Sequence, residues 1–127
     1  ISNLNANTAN GYYQPLPPEN VFEPSLSSAC KASRNWRTDF SIETIRLAST
    51  LGASCISLTS GHPGSGGTPK QGRDYFIDSL KQICKVAEVL DIRVGIEYEP
   101  GLLVERAGEA AEIIDPRNSA VGALPTT

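Results

Sequence analysis

The sequence predicts an α/β fold with a parallel sheet, and two observations support this fold class. Short apolar runs alternate with amphipathic helical patterns, which gives the order β-loop-α-β-α-β-α-β along the chain. Strands that alternate with helices of this length form right-handed βαβ units and hence a parallel sheet. In addition, the strands have unlike faces, with small or polar residues on one side: Asn3 and Asn5, Ser57 and Thr59, and Gly95, Glu97 and Glu99.

The unlike faces distinguish between two architectures. An open doubly wound sheet of four strands suits the chain's 127 residues, but strands covered by helices on both sides tend to be apolar on both faces. A (β/α)8 TIM barrel has strands whose inner face ends at a polar mouth, and it takes about 250 residues. We therefore predict a TIM-barrel type fold in which the single domain 1–127 covers roughly half a barrel.

The first half of the chain is predicted to hold one strand, one long loop and one helix. Residues 1–6 alternate as a short strand does. Residues 8–40 carry several prolines and aromatic residues, and a connection of that length is typically a lid or binding loop. Apolar residues at helical spacing predict a helix over 41–51, which Gly52 ends.

The second half of the chain alternates predicted strands and helices, and each element is predicted from a local sequence pattern. A short apolar run is followed by a loop rich in glycine, and the strongest helical stripe of the chain comes next. The predicted elements are a strand over 55–60, a loop over 61–72, a helix over 74–91, a strand over 92–99, a helix over 102–114 and a strand over 120–124.

Composition and charge limit the partners that we expect. A net charge of −3 without a basic run argues against nucleic-acid binding. No apolar stretch approaches the roughly 20 residues of a membrane span, so we expect no membrane partner. The three cysteines lack metal-ligand spacing, which indicates a reducing, cytoplasmic compartment. The chain opens on Ile1 and closes in what looks like a shortened strand, so we expect a fragment.

Two carboxylates stand on one face of the strand over 92–99, at its C-terminal end. Side chains alternate along a strand, so Glu97 and Glu99 project together. In a barrel, active sites lie at this end of the strands. A carboxylate there needs a cation, a sugar hydroxyl or a basic partner. Glu97, deeper in the strand, is the stronger functional candidate, and a salt bridge or exposure at a sheet edge is the alternative for both residues.

Three further residues are candidates for substrate binding. His62 follows the strand over 55–60, where an imidazole could bind a substrate oxygen, ligate a metal or transfer a proton; a polar loop residue is the alternative. Asn5 belongs to an amide-rich mouth whose groups suit polyols, although Asn7 and Asn10 are equally explained as turn formers. Trp36, in the long loop, could lie against a sugar's C–H face or pack on the surface. The set indicates metal-assisted or proton-transfer chemistry.

Two segments carry a resemblance to a known family. The segment "FSIETIRLASTLGASCISLTSG", followed later by "KVAEVLDIRVGIEYEPG", resembles the sugar phosphate isomerase/epimerase superfamily of xylose-isomerase-like barrels, which is related to apurinic endonucleases. The shared rhythm is a helix ending in Leu-Gly-Ala, a strand finishing in Ser-Gly, a second helix and a strand of the form apolar-x-Ile-Glu. The resemblance spans essentially the whole chain and is most specific over 41–61 and 86–101.

The resemblance implies a barrel that holds a divalent cation through carboxylates and a histidine and moves a proton next to a sugar carbonyl through an enediolate. Glu97 matches the residue that both ligates the metal and acts as acid/base in ketose epimerases, and the role of Glu99 stays open. His62 departs from the endonuclease branch, whose His stands at the strand end. The ion would be Mn, Mg, Co or Zn, with oxygen ligands favouring the harder ions. The Asp, His and second Glu ligands expected from later strands are not in this chain.

We therefore expect the N-terminal-to-middle portion of a metal-dependent isomerase or epimerase that acts on a small-molecule sugar or sugar phosphate. A non-catalytic half-barrel that binds a ligand or self-associates as a homo-oligomer is the alternative, because strands at the two ends of the chain would need to pair. A DNA-repair nuclease of the same superfamily fits less well, since the chain is acidic and has no basic patch.

Overall fold

A four-stranded parallel sheet with helices in its connections forms the fold in a computed structural model, which describes residues 2–7, 22–114 and, for the backbone alone, 121–125. The elements are β1 (Asn3–Asn5), α1 (Lys31–Leu51), β2 (Cys55–Leu58), α2 (Pro69–Leu90), β3 (Arg93–Tyr98), α3 (Ala107–Ile113) and β4 (Val121–Pro125). The strands lie in the order β1-β2-β3-β4 and every neighbouring pair is parallel. The predicted α/β class with a parallel sheet is confirmed.

The register separates an apolar face of the sheet from a polar one. Ile56 pairs with Val94, and Leu58 pairs with Ile96; all four side chains are buried and belong to one core with residues of α1 and α2. The largest fully buried side chain of that core is Phe76. On the other face Asn5 pairs with Ser57, and Ser57 with Gly95. The helices therefore cover one face and leave small and polar groups on the other.

Helix α1 begins at Lys31, ten residues before the predicted start. The predicted loop over 8–40 is therefore wrong for residues 31–40. The added turns gave no apolar signal because their buried positions, Arg37 and Thr38, are polar. Residues 8–21 of the predicted lid lie outside the described residues.

The predicted starts of the other two helices were also wrong, in opposite directions. Helix α2 begins earlier, at Pro69, because Thr68 and Gln71 form a capping box in which each side chain bonds the other's backbone N–H. Helix α3 begins later, at Ala107. The apolar residues before it, Leu102, Leu103 and Val104, are buried in the turn after β3 rather than in a helix.

Residues 22–30 are packed across the loop that follows β2. Ser27 Oγ donates to the carbonyl of Ser60 at 2.6 Å, and Ala29 N donates to the carbonyl of Ser65 at 2.8 Å. Leu26 is buried, and its carbonyl accepts a hydrogen bond from a serine of α2 at 2.8 Å. This part of the predicted lid is thus tied to the scaffold. In the described part of the chain, no helix has the length and apolar character that crossing a membrane requires.

Candidate functional site

A row of three polar residues stands where β1, β2 and β3 end. Leu58 pairs with Ile96 in the last register pair of β2 and β3, and Ala6 N donates to the carbonyl of Ser57 at 2.7 Å just past β1. One residue further along the three strands come Asn7, Thr59 and Glu97. Alternation directs these side chains to the polar face of the sheet. The row therefore lies at the C-terminal edge, on the face that the helices leave uncovered.

Asn7 connects Glu97 to the rest of the fold. Its side-chain Nδ2 donates a short hydrogen bond to Glu97 Oε2. Its backbone N donates to Asn5 Oδ1 at 2.7 Å, and its carbonyl accepts from Arg37 Nη2 of α1. Asn7 is thus held from three sides and buried. A charge-assisted bond of this kind fixes one oxygen of the Glu97 carboxylate in place.

Glu97 is partly buried and lies near the C-terminal end of β3, where its position in the sequence predicted it. Glu99 is also partly buried; its backbone forms the turn after β3, where Glu99 N donates to the Val104 carbonyl at 3.3 Å. Among the described residues the Glu99 carboxylate has no hydrogen bond and no ion pair. One of the two alternatives for these carboxylates was a salt bridge, and neither glutamate is in a salt bridge with a described Lys or Arg. The other alternative was exposure at a sheet edge, and both residues are partly buried.

His62 lies in the loop after β2, at the same edge of the sheet. Its backbone N donates to Glu23 Oε1 at 3.2 Å. The preceding residue, Gly61, accepts a hydrogen bond from Leu103 N at 2.9 Å, so the loop after β2 meets the turn after β3. The imidazole is partly exposed and bonds no described residue. Substrate binding by His62 stays a prediction.

The other two predicted substrate contacts lie in β1 and in α1, and substrate binding by Asn5 stays a prediction. The side chain of Asn5 turns back to bond Asn7 N, so it shapes the end of β1. Trp36 lies in α1, on the side opposite the helix's buried residues, and stacks on Phe40 with ring centroids 5.5 Å apart. These two rings, with Asp39 and Glu43, line a cavity of about 290 Å³. The loop position from which Trp36 was predicted to cover a ligand is therefore wrong.

Comparison with known families accounts for this layout. The sequence matches the family described as xylose isomerase-like TIM barrel over residues 6–127. The chain belongs to this family. The predicted fold class, part of a TIM barrel, is confirmed, and the polar face of the sheet is the inner face of the barrel.

A similar fold is found in the crystal structure of a D-tagatose 3-epimerase-like protein. It superposes with a TM-score of 0.68 at 20% sequence identity, and the match covers 81% of this chain and 41% of that chain. The chain thus spans about two fifths of the length of that protein. A search of curated proteins found no significant match.

The described residues of this xylose isomerase-like barrel do not form a metal centre by themselves. Within 2–7 and 22–114, no group of three or more His, Cys, Asp and Glu side chains could hold a metal ion. Glu97 offers a carboxylate at the mouth, which suits one oxygen ligand of a divalent cation. Any complete ligand set therefore includes residues other than those described.

Two residues of the row were not among the predicted site residues. For Asn7, a place in the amide-rich mouth and a role as turn former were equally weighted, although Asn3, Asn5 and Asn7 share one parity, which favours the inner face for all three. Thr59 was assigned to the polar face without a role. Arg37 was considered, together with Trp36, as a residue of the long loop that could lie over a ligand; its bond to the Asn7 carbonyl depends on the folded chain and had no sequence signal.

Proposed function

We propose that the chain is part of a sugar isomerase or epimerase, with Glu97 as the residue that removes a proton from the carbon next to a sugar carbonyl. One observation carries the proposal: Glu97 stands at the C-terminal end of a barrel strand, on the inner face, with one oxygen held by Asn7. In barrels of this kind the catalytic groups lie at this end of the strands. The likeness in fold to a D-tagatose 3-epimerase-like protein adds support for epimerase chemistry.

The free oxygen of Glu97 is the proton acceptor in this proposal. Asn7 Nδ2 bonds Oε2, whereas Oε1 accepts no hydrogen bond from a described residue. The C–H proton moves to Oε1, and the electron pair of that bond moves onto the carbonyl oxygen to give an enediolate. Protonation of the same carbon from the opposite face gives the epimer; that proton would come from an acid outside the described residues, and Glu97 would release its own proton to solvent. Transfer of the proton from Glu97 to the neighbouring carbon, with proton transfer between the oxygens, gives the isomer. Holding the base in one orientation reduces the entropic cost of reaching the transition state.

A divalent cation, Mn, Mg, Co or Zn, ligated by Glu97 and by residues outside those described, would neutralise the charge that develops on the carbonyl oxygen. His62 and Glu99 are proposed to bind substrate hydroxyls, because both are partly exposed at the same edge and neither side chain bonds a described residue. The substrate class is a small-molecule sugar or sugar phosphate. The single domain, the cytoplasmic location and self-association stay predictions, and size-exclusion chromatography tests the last.

Deuterium incorporation tests the role of Glu97 directly. The full-length protein is incubated in D2O with D-tagatose and each of the four divalent ions, and exchange of the proton next to the carbonyl is followed by NMR. We expect Glu97→Gln to slow exchange by about 10²–10⁴-fold, the usual contribution of a general base. Glu88→Gln is the control, since it makes the same chemical change at an exposed position of α2 and should keep the wild-type rate.

Exchange at the wild-type rate in Glu97→Gln would refute the assignment of the base. The cation is tested separately with EDTA. Full turnover in the chelated protein, verified as free of metal, would refute metal dependence and leave the role of Glu97 to the first experiment.

A further inference from the structure

Two buried oxygen atoms beside Glu97 lack hydrogen-bond partners. Asn7 is 4% exposed and Thr59 is 5% exposed. Among the described residues, neither Asn7 Oδ1 nor Thr59 Oγ1 makes a hydrogen bond. Buried polar atoms in folded proteins are almost always paired, and an unpaired one lowers stability. Two such atoms in one row are therefore a feature to explain.

Polar side chains earlier on the same strands are hydrogen-bonded to each other, so the fold can pair polar atoms on this face. Ser57 stands two residues before Thr59, on the same face of β2, and its Oγ accepts a hydrogen bond from Asn3 Nδ2 at 2.8 Å. The two unpaired oxygens lie nearer the C-terminal ends of the strands, at the mouth, where Asn7 follows β1 and bonds Glu97 of β3. Thr59 directly follows β2, the strand between them. Both oxygens thus belong to the site already argued for Glu97.

The chemistry of the two atoms defines what would pair with them. Asn7 Nδ2 is used by Glu97, so the free Oδ1 can only accept a proton. The Thr59 hydroxyl can donate or accept. A single ligand hydroxyl satisfies both needs, since it donates its one proton to Asn7 Oδ1 and accepts a hydrogen bond from the Thr59 hydroxyl. An unprotonated phosphate oxygen has no proton for Asn7, and it would lie next to the Glu97 carboxylate.

We propose that Asn7 Oδ1 and Thr59 Oγ1 form a subsite for a hydroxyl group of a polyhydroxylated ligand, adjacent to Glu97. The inference rests on the proposed function only for its choice of a sugar-like ligand. The subsite explains why two oxygens are buried without partners: the ligand completes their hydrogen bonds. It also assigns Asn7 two tasks, since one side-chain atom holds Glu97 and the other binds substrate.

Thr59→Val separates ligand binding from folding, because it removes the hydroxyl at nearly constant shape and leaves the bond between Asn7 and Glu97 in place. The probes are D-fructose and D-sorbitol, a hexitol that has no carbonyl and cannot undergo the proposed reaction. Binding to the full-length protein is measured by saturation-transfer NMR titration. We expect both probes to bind about 5–10-fold more weakly to the variant, the effect of one neutral hydrogen bond. We expect its melting temperature to be unchanged or higher, since an unpaired buried hydroxyl is gone.

Ser57→Ala is the matched control, because it removes a paired hydroxyl from the same strand and face. It should lower the melting temperature, since Asn3 loses its acceptor, and leave both affinities within about twofold. A structural role for Thr59 would instead give the pattern of this control.

Four results would overturn the subsite: unchanged affinities in Thr59→Val, a lower melting temperature in that variant, no binding of either probe to the wild-type protein, or weaker binding of Mn²⁺ alone with unchanged sorbitol binding. The last result would mean that the oxygens serve a cation. The outcome is independent of the proton-transfer test. Wild-type exchange in Glu97→Gln would refute the proposed function, whereas the sorbitol titration would still decide the subsite.

Discussion

Gly66, in the loop after β2, is a position where even the smallest added side chain should destabilise the fold. A Cβ at this position would lie 2.6 Å from Gly72 N and 2.7 Å from the Ser27 carbonyl oxygen, and closer still to Gly72 Cα. All three are backbone atoms, so no rotamer change can relieve the contacts. Overpacking costs about 1–3 kcal/mol and occasionally more. Since three backbone contacts are violated together, we expect Gly66→Ala to lower the free energy of unfolding by about 3 kcal/mol.

Urea denaturation followed by circular dichroism measures this effect, with Gly64→Ala as the matched control. Gly64 lies in the same loop, and a Cβ there would have no neighbour within 4 Å. That substitution should be neutral or should stabilise by up to about 1 kcal/mol, because alanine restricts the unfolded chain. If the two variants differ by less than about 0.5 kcal/mol, the close packing of residues 22–30 against this loop and α2 is wrong.

Two further predictions concern the starts of α1 and α2. Hydrogen bonds from Ser33 lower the pKa of the exposed Cys30 thiol, and burial raises the pKa of Cys55. Near neutral pH, DTNB should therefore label Cys30 first. A fast labelling phase that survives in Cys30→Ser would contradict this order. Thr68→Ala removes the side-chain oxygen that accepts a hydrogen bond from Gln71 N at 3.2 Å. It should lower the free energy of unfolding, measured by urea denaturation, by about 1 kcal/mol. An unchanged midpoint of the urea transition would show that the cap contributes nothing.

The strands were predictable from sequence because their signal is local. Val94 and Ile96 alternate with Gly95 and Glu97, and a period of two assigns each residue to a face without knowledge of its partners. The same logic placed Glu97 at the mouth of a barrel. The start of α1 was not predictable in this way, since the core-facing positions of its first turns are polar and so interrupt the apolar period. The misplacement of Trp36 followed from that error.

The contacts around Glu97 could not be predicted, because they depend on residues far apart in the chain. Asn7 and Glu97 are 90 positions apart, and nothing in either local sequence pairs them. The unpaired state of Thr59 Oγ1 is likewise a property of the packed structure, since a threonine at a strand end looks the same in sequence whether its hydroxyl is bonded or not. Residue parity indicates the face, and only the fold indicates the partners.

The sequential order of the strands has a consequence for biosynthesis. Each strand of the described sheet pairs with the strands next to it in the chain, so a strand that leaves the ribosome meets a template that has already emerged. Pairing between successive strands closes shorter loops than another strand order would, and chains tend to fold from the N-terminus during synthesis. A nascent chain that has emerged through β3 already carries Asn7, Thr59 and Glu97. The row of Asn7, Thr59 and Glu97 can therefore form while the polypeptide is still attached to the ribosome.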